Sequence, residues 1–228
     1  MKLLALDTSS IACSVALQVD DVVKERYEEQ PREHTRLLVP MIRSLLQESQ
    51  VGIDDLDAIV LGNGPGSFIG MRIAASVAQG LAHGSGLNIV PVSSLAAVAA
   101  EVFVDATAEF VAVAQDAHMS EVYLGVFRRG SDGLPVPLFG ERLHGQNRIE
   151  EFAELEGGMC IAAGIGWQRY PALLQSNSEF LHESAAISYP RARHLLAQAV
   201  VLLQNDGACF PADLAPAYLR QKVAEKPA

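Results

Sequence analysis

The chain has 228 residues, half of them apolar and only 19% charged, which excludes a disordered polypeptide and calls for a large buried core. Its 17 lysines and arginines stand against 27 aspartates and glutamates, a net charge of −10. That balance argues against gripping nucleic acid unaided, because such affinity comes mainly from neutralised phosphates.

Asp7 cuts the opening apolar run Met1–Leu6 well short of the roughly 7–15 residues that the core of a signal peptide needs. Lys2–Asp7, Ile11–Val19 and Val22–Glu28 read as consecutive short strands, the first two joined by the tight polar link Thr8-Ser9-Ser10. Glu33–Ser49 repeats apolar residues at helical spacing and is expected to bend at Pro40. Asp57–Leu61 suits a strand covered on both sides. Gly62-Asn63-Gly64-Pro65-Gly66 breaks it, and Ser67–His83 is helical. A strand at Asn88–Val90 follows, and Ser93 caps a helix from Ser94 to about Phe103. Leu95 to Ala114 is nearly long enough to span a membrane, but Glu101, Asp105 and Glu109 make that reading costly.

The second half echoes the first. Leu3–Asp7 with Cys13–Leu17 is matched by Ala112–Asp116 with Val122–Val126. Gly62–Gly66 and its helix are matched by Gly164-Ile165-Gly166 and a helix from Trp167, after a strand at Met159–Ala163. Two echoes in the same order point to a duplicated βββαβα unit. Gly130–Pro137 reads as a hairpin loop, Arg191–Leu203 as a further helix, and the proline-bearing tail from Asp206 as mostly irregular.

Few residues offer chemistry. Asp7, at the end of a buried strand, is either a carboxylate working through Mg²⁺ at a phosphate-binding hairpin or an Asx cap of its own turn. The glycine turn at 62–66 lacks the Lys-Ser/Thr of a P-loop; it is either an anion nest or a sharp strand-to-helix corner. Cys13, Cys160 and Cys209 form no C-x-x-C and read as reduced thiols of a cytoplasmic protein. The six histidines include no pair spaced for a metal on one helix face. Gly70, Ala74, Ala78 and Ala82 make a flat strip on a nearly uncharged helix, packed either within its own domain or against another chain.

Leu4–Ser9, Glu33-His34 with Leu37-Leu38 and Pro40, and above all Gly62–Arg72 resemble the TsaB (YeaZ) family; Ala78–Ala82, Val92–Leu95 and Ala217–Arg220 extend the likeness. The resemblance implies an α/β, actin-like ATPase (ribonuclease H-like) fold of two similar subdomains, with mixed sheets flanked by helices. The expected division is 1–104, 105–190, and a C-terminal helix and tail at 191–228 packing back on the first subdomain. It also implies a non-catalytic, metal-free subunit for placing threonylcarbamoyl on the adenosine beside the anticodon of tRNAs reading codons that begin with A. Its partners would be a TsaD-like transferase, which carries the metal, and a TsaE-like ATPase, with tRNA reached only through the complex and a homodimer formed alone. The implied interface lies on the N-terminal helices at His34, Leu37, Met41, Phe68, Met71, Arg72, Ala74, Ala75 and Ala78. No intrinsic cofactor is expected; ATP or ADP would sit at the joint with the partner, touching Asp7, Thr8 and Ser9. The competing reading is a phosphotransferase or ATPase of the same superfamily using Asp7. A peptidase would need a metal or nucleophile pattern that is not there.

Overall fold

The computed structural model describes residues 1–155 and 159–220, so the far end of the tail lies outside them. Strands β1 (Lys2–Asp7), β2 (Ala12–Val19) and β3 (Val22–Glu29) form an antiparallel meander. Helix α1 (His34–Ser49) leads to β4 (Ala58–Gly62), α2 (Phe68–Ser85) to β5 (Ile89–Val92), and both strands run parallel to β1. The sheet order is β3-β2-β1-β4-β5. Helix α3 (Ser94–Asp105) then crosses to the second half.

There β6 (Phe110–Asp116) and β7 (Val122–Arg129) are antiparallel, β8 (Pro135–Pro137) and β9 (Arg142–His144) both pair with β7, and β10 (Cys160–Ala163) runs parallel to β6. Short helices α4 (Ile165–Arg169) and α5 (Pro171–Ser176) precede β11 (Leu181–Ser184), giving the order β11-β10-β6-β7-β8. This is the topology of the first sheet repeated, with β6 in the place of β1.

Both sheets are covered on two faces, which explains their near-continuous apolar strands. Leu4 and Leu6 point to α1 and α2, whereas Leu3 and Ala5 point to Ala97 of α3 and to α6 (Leu196–Gln204). Helix α3 is shared: its Leu95, Val98 and Val102 pack on Val111, Val113 and Phe127 of the second sheet. Arg129 of β7 clasps the end of α3, donating to the carbonyls of Phe103, Ala106 and Ala108 with its guanidinium over the Phe103 ring. Since the last carbonyls of a helix lack partners in it, a cation there satisfies both hydrogen bonding and the dipole. Among the described residues no helix is long and apolar enough to cross a membrane. The Leu95–Ala114 stretch is α3 followed by β6.

Several expected elements differ. The Gly130–Pro137 loop turns at 130–134, and Pro135–Pro137 is an edge strand on β7, where prolines are tolerated. The helix expected over Arg191–Leu203 starts as a 3-10 turn, Ala192–Leu195, because Ala192 N–H donates to Ser14 Oγ and Arg191 pairs with Glu25. Pro171 splits the helix expected from Trp167 into two short ones. Strands β9 and β11 are additions. One edge of the first sheet, β5, is capped at Ile89 by Cys209, which exchanges two backbone hydrogen bonds with it.

His194, in the 3-10 turn, is half-buried beside Glu101 of α3, and that partial burial lowers its imidazole to about 4. Because that lies below the ordinary value near 6.5 of an unfolded histidine, its contribution to stability is present above about pH 6.5 and is lost as pH falls toward 4. Melting temperatures of wild type and His194→Gln measured across that range should therefore differ in slope, the variant losing less on acidification. Parallel curves would show that His194 titrates normally.

Candidate functional site: a closed aspartate turn and an open helix face

The turn after β1 and the glycine corner after β4 are parts of one structure. Asp7 is 1% exposed. Its Oδ1 accepts from the backbone N–H and the hydroxyl of Ser9, both at 2.8 Å, and its Oδ2 accepts from Ser94 Oγ at 2.6 Å. Ser94 is itself tied to the corner, its Oγ accepting from Gly64 N–H and its own N–H donating to the Gly64 carbonyl. Ser67 N–H donates to the Ser9 carbonyl at 2.6 Å, and Thr8 Oγ1 to the Gly70 carbonyl at 2.7 Å. His34 Nε2 lies 2.9 Å from the Ser10 carbonyl.

This contact explains the glycines. A Cβ at Gly62 would sit 2.0 Å from Asp7 Oδ2, one at Gly66 would sit 2.2 Å from the Ser9 carbonyl oxygen, and one at Gly70 would sit 2.0 Å from that of Thr8. Only glycine lets the backbones meet so closely. The corner is thus a packing device rather than an anion nest. The same device recurs in the second half, where a Cβ at Gly164 or Gly166 would strike the Ala114 carbonyl oxygen.

Asp7 therefore behaves as an Asx cap with a third partner. Burial raises its pKa, opposed by the hydrogen bonds from Ser94 and Ser9. The nucleotide and Mg²⁺ that the superfamily implies do not fit this closed turn: Asp7, Thr8 and Ser9 are buried at 1%, 0% and 5% exposure, and the carboxylate already accepts three hydrogen bonds from Ser9 and Ser94. Other nucleophiles are equally muted, burial pushing the Cys13 and Cys160 thiols up to about 12. Among the described residues no cluster of three histidine, cysteine, aspartate or glutamate side chains is placed to hold a metal.

The second turn is different. Asp116 Oδ1 accepts from His118 N–H and from the Tyr170 hydroxyl, with Arg169 3.2 Å from Oδ2. His118, Met119 and Ser120 all have positive φ (60°, 52° and 61°).

Of the residues expected at a partner surface, His34, Met41, Met71, Ala74, Ala75 and Ala78 are buried within the chain. The alanine strip faces the chain's own sheet, packed with Leu4, Leu6, Ile59 and Leu61. Met41 and Met71 are thus core residues of this chain, not exposed anchors. Leu37, Phe68 and Arg72 stay accessible. Arg72 lies 3.6 Å over the Phe68 ring and donates from Nε to the Tyr218 hydroxyl, and the Phe68 and Tyr218 rings are 5.5 Å apart. Beside them is an open groove between α1 and α2 lined by Thr35, Val39, Ile69, Ile73 and Val77, with Ile69 70% exposed. Sequence reasoning passed over Val39 and Ile69; as large apolar residues flanking Pro40 and Arg72 they were the available signal.

Two repeated mixed sheets, each flanked by helices, with aspartate turns at the ends of β1 and β6, define a protein of the actin-like ATPase class. Residues 22–228 match the family model described as TsaD, tRNA N6-adenosine threonylcarbamoyltransferase. The proteins named tRNA threonylcarbamoyladenosine biosynthesis protein TsaB from Escherichia coli K12 and Haemophilus influenzae are 34% and 35% identical to the chain; each match spans 99% of the chain, and 97% and 96% of the relative. A solved structure described as YeaZ from Pseudomonas aeruginosa superposes with a TM-score of 0.88 at 35% identity, covering 96% of this chain and 99% of that one. The chain belongs to the TsaB (YeaZ) family.

Asp7→Ala should cost about 1–3 kcal/mol, because it strands the buried donors of Ser9 and Ser94. Asp7→Asn, which keeps an acceptor and sheds the buried charge, should cost less in the same urea titration. Equal losses would mean that the charge, not the hydrogen bonding, holds the turn.

Proposed function

We propose that the chain is a non-catalytic subunit that docks on a TsaD-type transferase and supports formation of threonylcarbamoyladenosine beside the anticodon of tRNAs reading codons that begin with A. The relatives' names supply the pathway. The observation that carries the non-catalytic role is the buried Asp7 carboxylate, held by three hydrogen bonds and packed against the Gly62–Gly70 corner. A phosphotransferase needs that carboxylate free to meet Mg²⁺ or substrate, so no specific feature favours the alternative. ATP or ADP at the joint with the partner would have to be held by groups other than Asp7, Thr8 and Ser9.

Docking uses the open face of α1 and α2. An exposed isoleucine beside a preformed arginine–aromatic stack supplies the kind of anchor that dominates interface energetics. Alone, the chain uses the same face to meet a second copy; in the complex a TsaE-type ATPase joins. A cytoplasmic location follows from the tRNA substrate. With a net charge of −10 the chain leaves tRNA binding to its partners.

The test mixes the chain with the transferase and weighs the complex by light scattering. Ile69→Glu and Arg72→Glu should weaken pairing by roughly tenfold or more while leaving the melting curve intact. Met71→Glu, 4% exposed, should collapse the melt instead. Undiminished pairing by both surface variants would remove the interface assignment. Separately, isolated chain titrated with tRNA should show only weak, salt-sensitive binding; a submicromolar affinity would restore a direct RNA role.

A further inference from the structure

In open α/β sheets a ligand enters the crevice outside the carboxyl ends of the strands. In this chain the carboxyl end of β4 runs into Asn63, and the carboxyl end of β6 into the turn Ala117–Glu121. One segment, Leu214–Arg220, is bonded to both. Leu214 is buried in the core beneath α1 and α2. Asn63 Nδ2 donates to the Ala215 carbonyl, and Ala217 N–H donates to the Asn63 carbonyl, each at 3.1 Å. Tyr218 packs on Phe68 and Arg72, while Leu219 enters the core of the second half. Arg220 ends the segment by donating to the carbonyls of Ala117 and His118 at 3.1 and 3.4 Å and pairing with Glu121.

The grip of Arg220 falls on a strained element. Three successive non-glycine residues with positive φ persist only where their surroundings over-determine them. The turn has its own bonds, Ala117 N–H to the Glu121 carbonyl and Glu121 N–H to the His118 carbonyl. The guanidinium adds contacts from Nη2 across the outside, at a side-chain exposure of 15%.

We propose that residues 214–220 are an internal ligand: the chain's own C-terminal segment takes the place between the two halves that a bound small molecule takes in an open crevice, and it couples the corner at Asn63 to the turn at Ala117–Glu121. Tyr218 and Arg220 are its positioning residues, one for each half. Tyr218 shares its stack with the docking residues Phe68 and Arg72, but the inference needs no partner to test.

Amide hydrogen exchange on the full chain reads the coupling directly. Arg220→Ala should speed exchange at Ala117 and Glu121 by roughly tenfold or more, the scale of a lost charge-assisted hydrogen bond, and should also speed it at Asn63 and Ala217 in the other half. Tyr218→Ala should do the reverse, its effect reaching from the corner to the turn. Arg43→Ala, on the exposed side of α1, should change neither set. Arg220→Lys keeps the charge but loses the planar guanidinium; it is read in the same way if the alanine variant fails to fold. If each variant accelerates only the amides beside the replaced side chain, the segment is two independent contacts and the proposal falls.

Discussion

Everything near the amino end of this fold depends on one buried carboxylate. Asp7 lies where water cannot reach it, and an aspartate so placed must find hydrogen-bond donors or shed its charge. It finds them in Ser9, two residues on, and in Ser94, which arrives from the start of α3. To bring Ser94 there, the chain must pass β4, turn and descend α2 with its backbone pressed against the Thr8–Ser10 turn. The glycines at 62, 66 and 70 are the consequence of that approach. A residue type that looks like a phosphate grip is, in this setting, the keystone of a junction between β1, β4, α2 and α3.

The duplication sharpens the contrast. Both halves place an aspartate after their first strand and a glycine corner after the first parallel one. In the first half the turn is sealed and compact. In the second, Asp116 faces Arg169, Tyr170 and His118, and the turn is strained and braced from outside. One repeated plan thus takes two forms, neither of which leaves a carboxylate free in a dry pocket.

The strands β1, β2, β4 and β6 were legible because apolar runs there end in abrupt polar or glycine turns, and α2 because its cap, Ser67, follows such a turn. Strands β9 and β11 were not: each is three or four residues long and exists only because a neighbour offers an edge. The state of Asp7 was half legible. Its Asx bond to Ser9 is local, but the bond to Ser94 spans 87 residues and no periodicity announces it. The outward face of α2 was misjudged for a related reason. Its alanine strip and its Ile69–Arg72–Ile73 side are both nearly uncharged, and only the position of the sheet decides which turns inward.

Edge strands are where one sheet can recruit another chain by backbone pairing. Here β8 has proline at two of its three positions, and β5 is already paired with the Cys209 segment. Both of these edges resist adding a foreign strand. At the opposite edge of the first sheet, β3 defends itself with charge instead, carrying Lys24, Glu25, Arg26, Glu28 and Glu29 along its eight residues, so the apolar central strands of that sheet lie between neighbours that discourage backbone pairing.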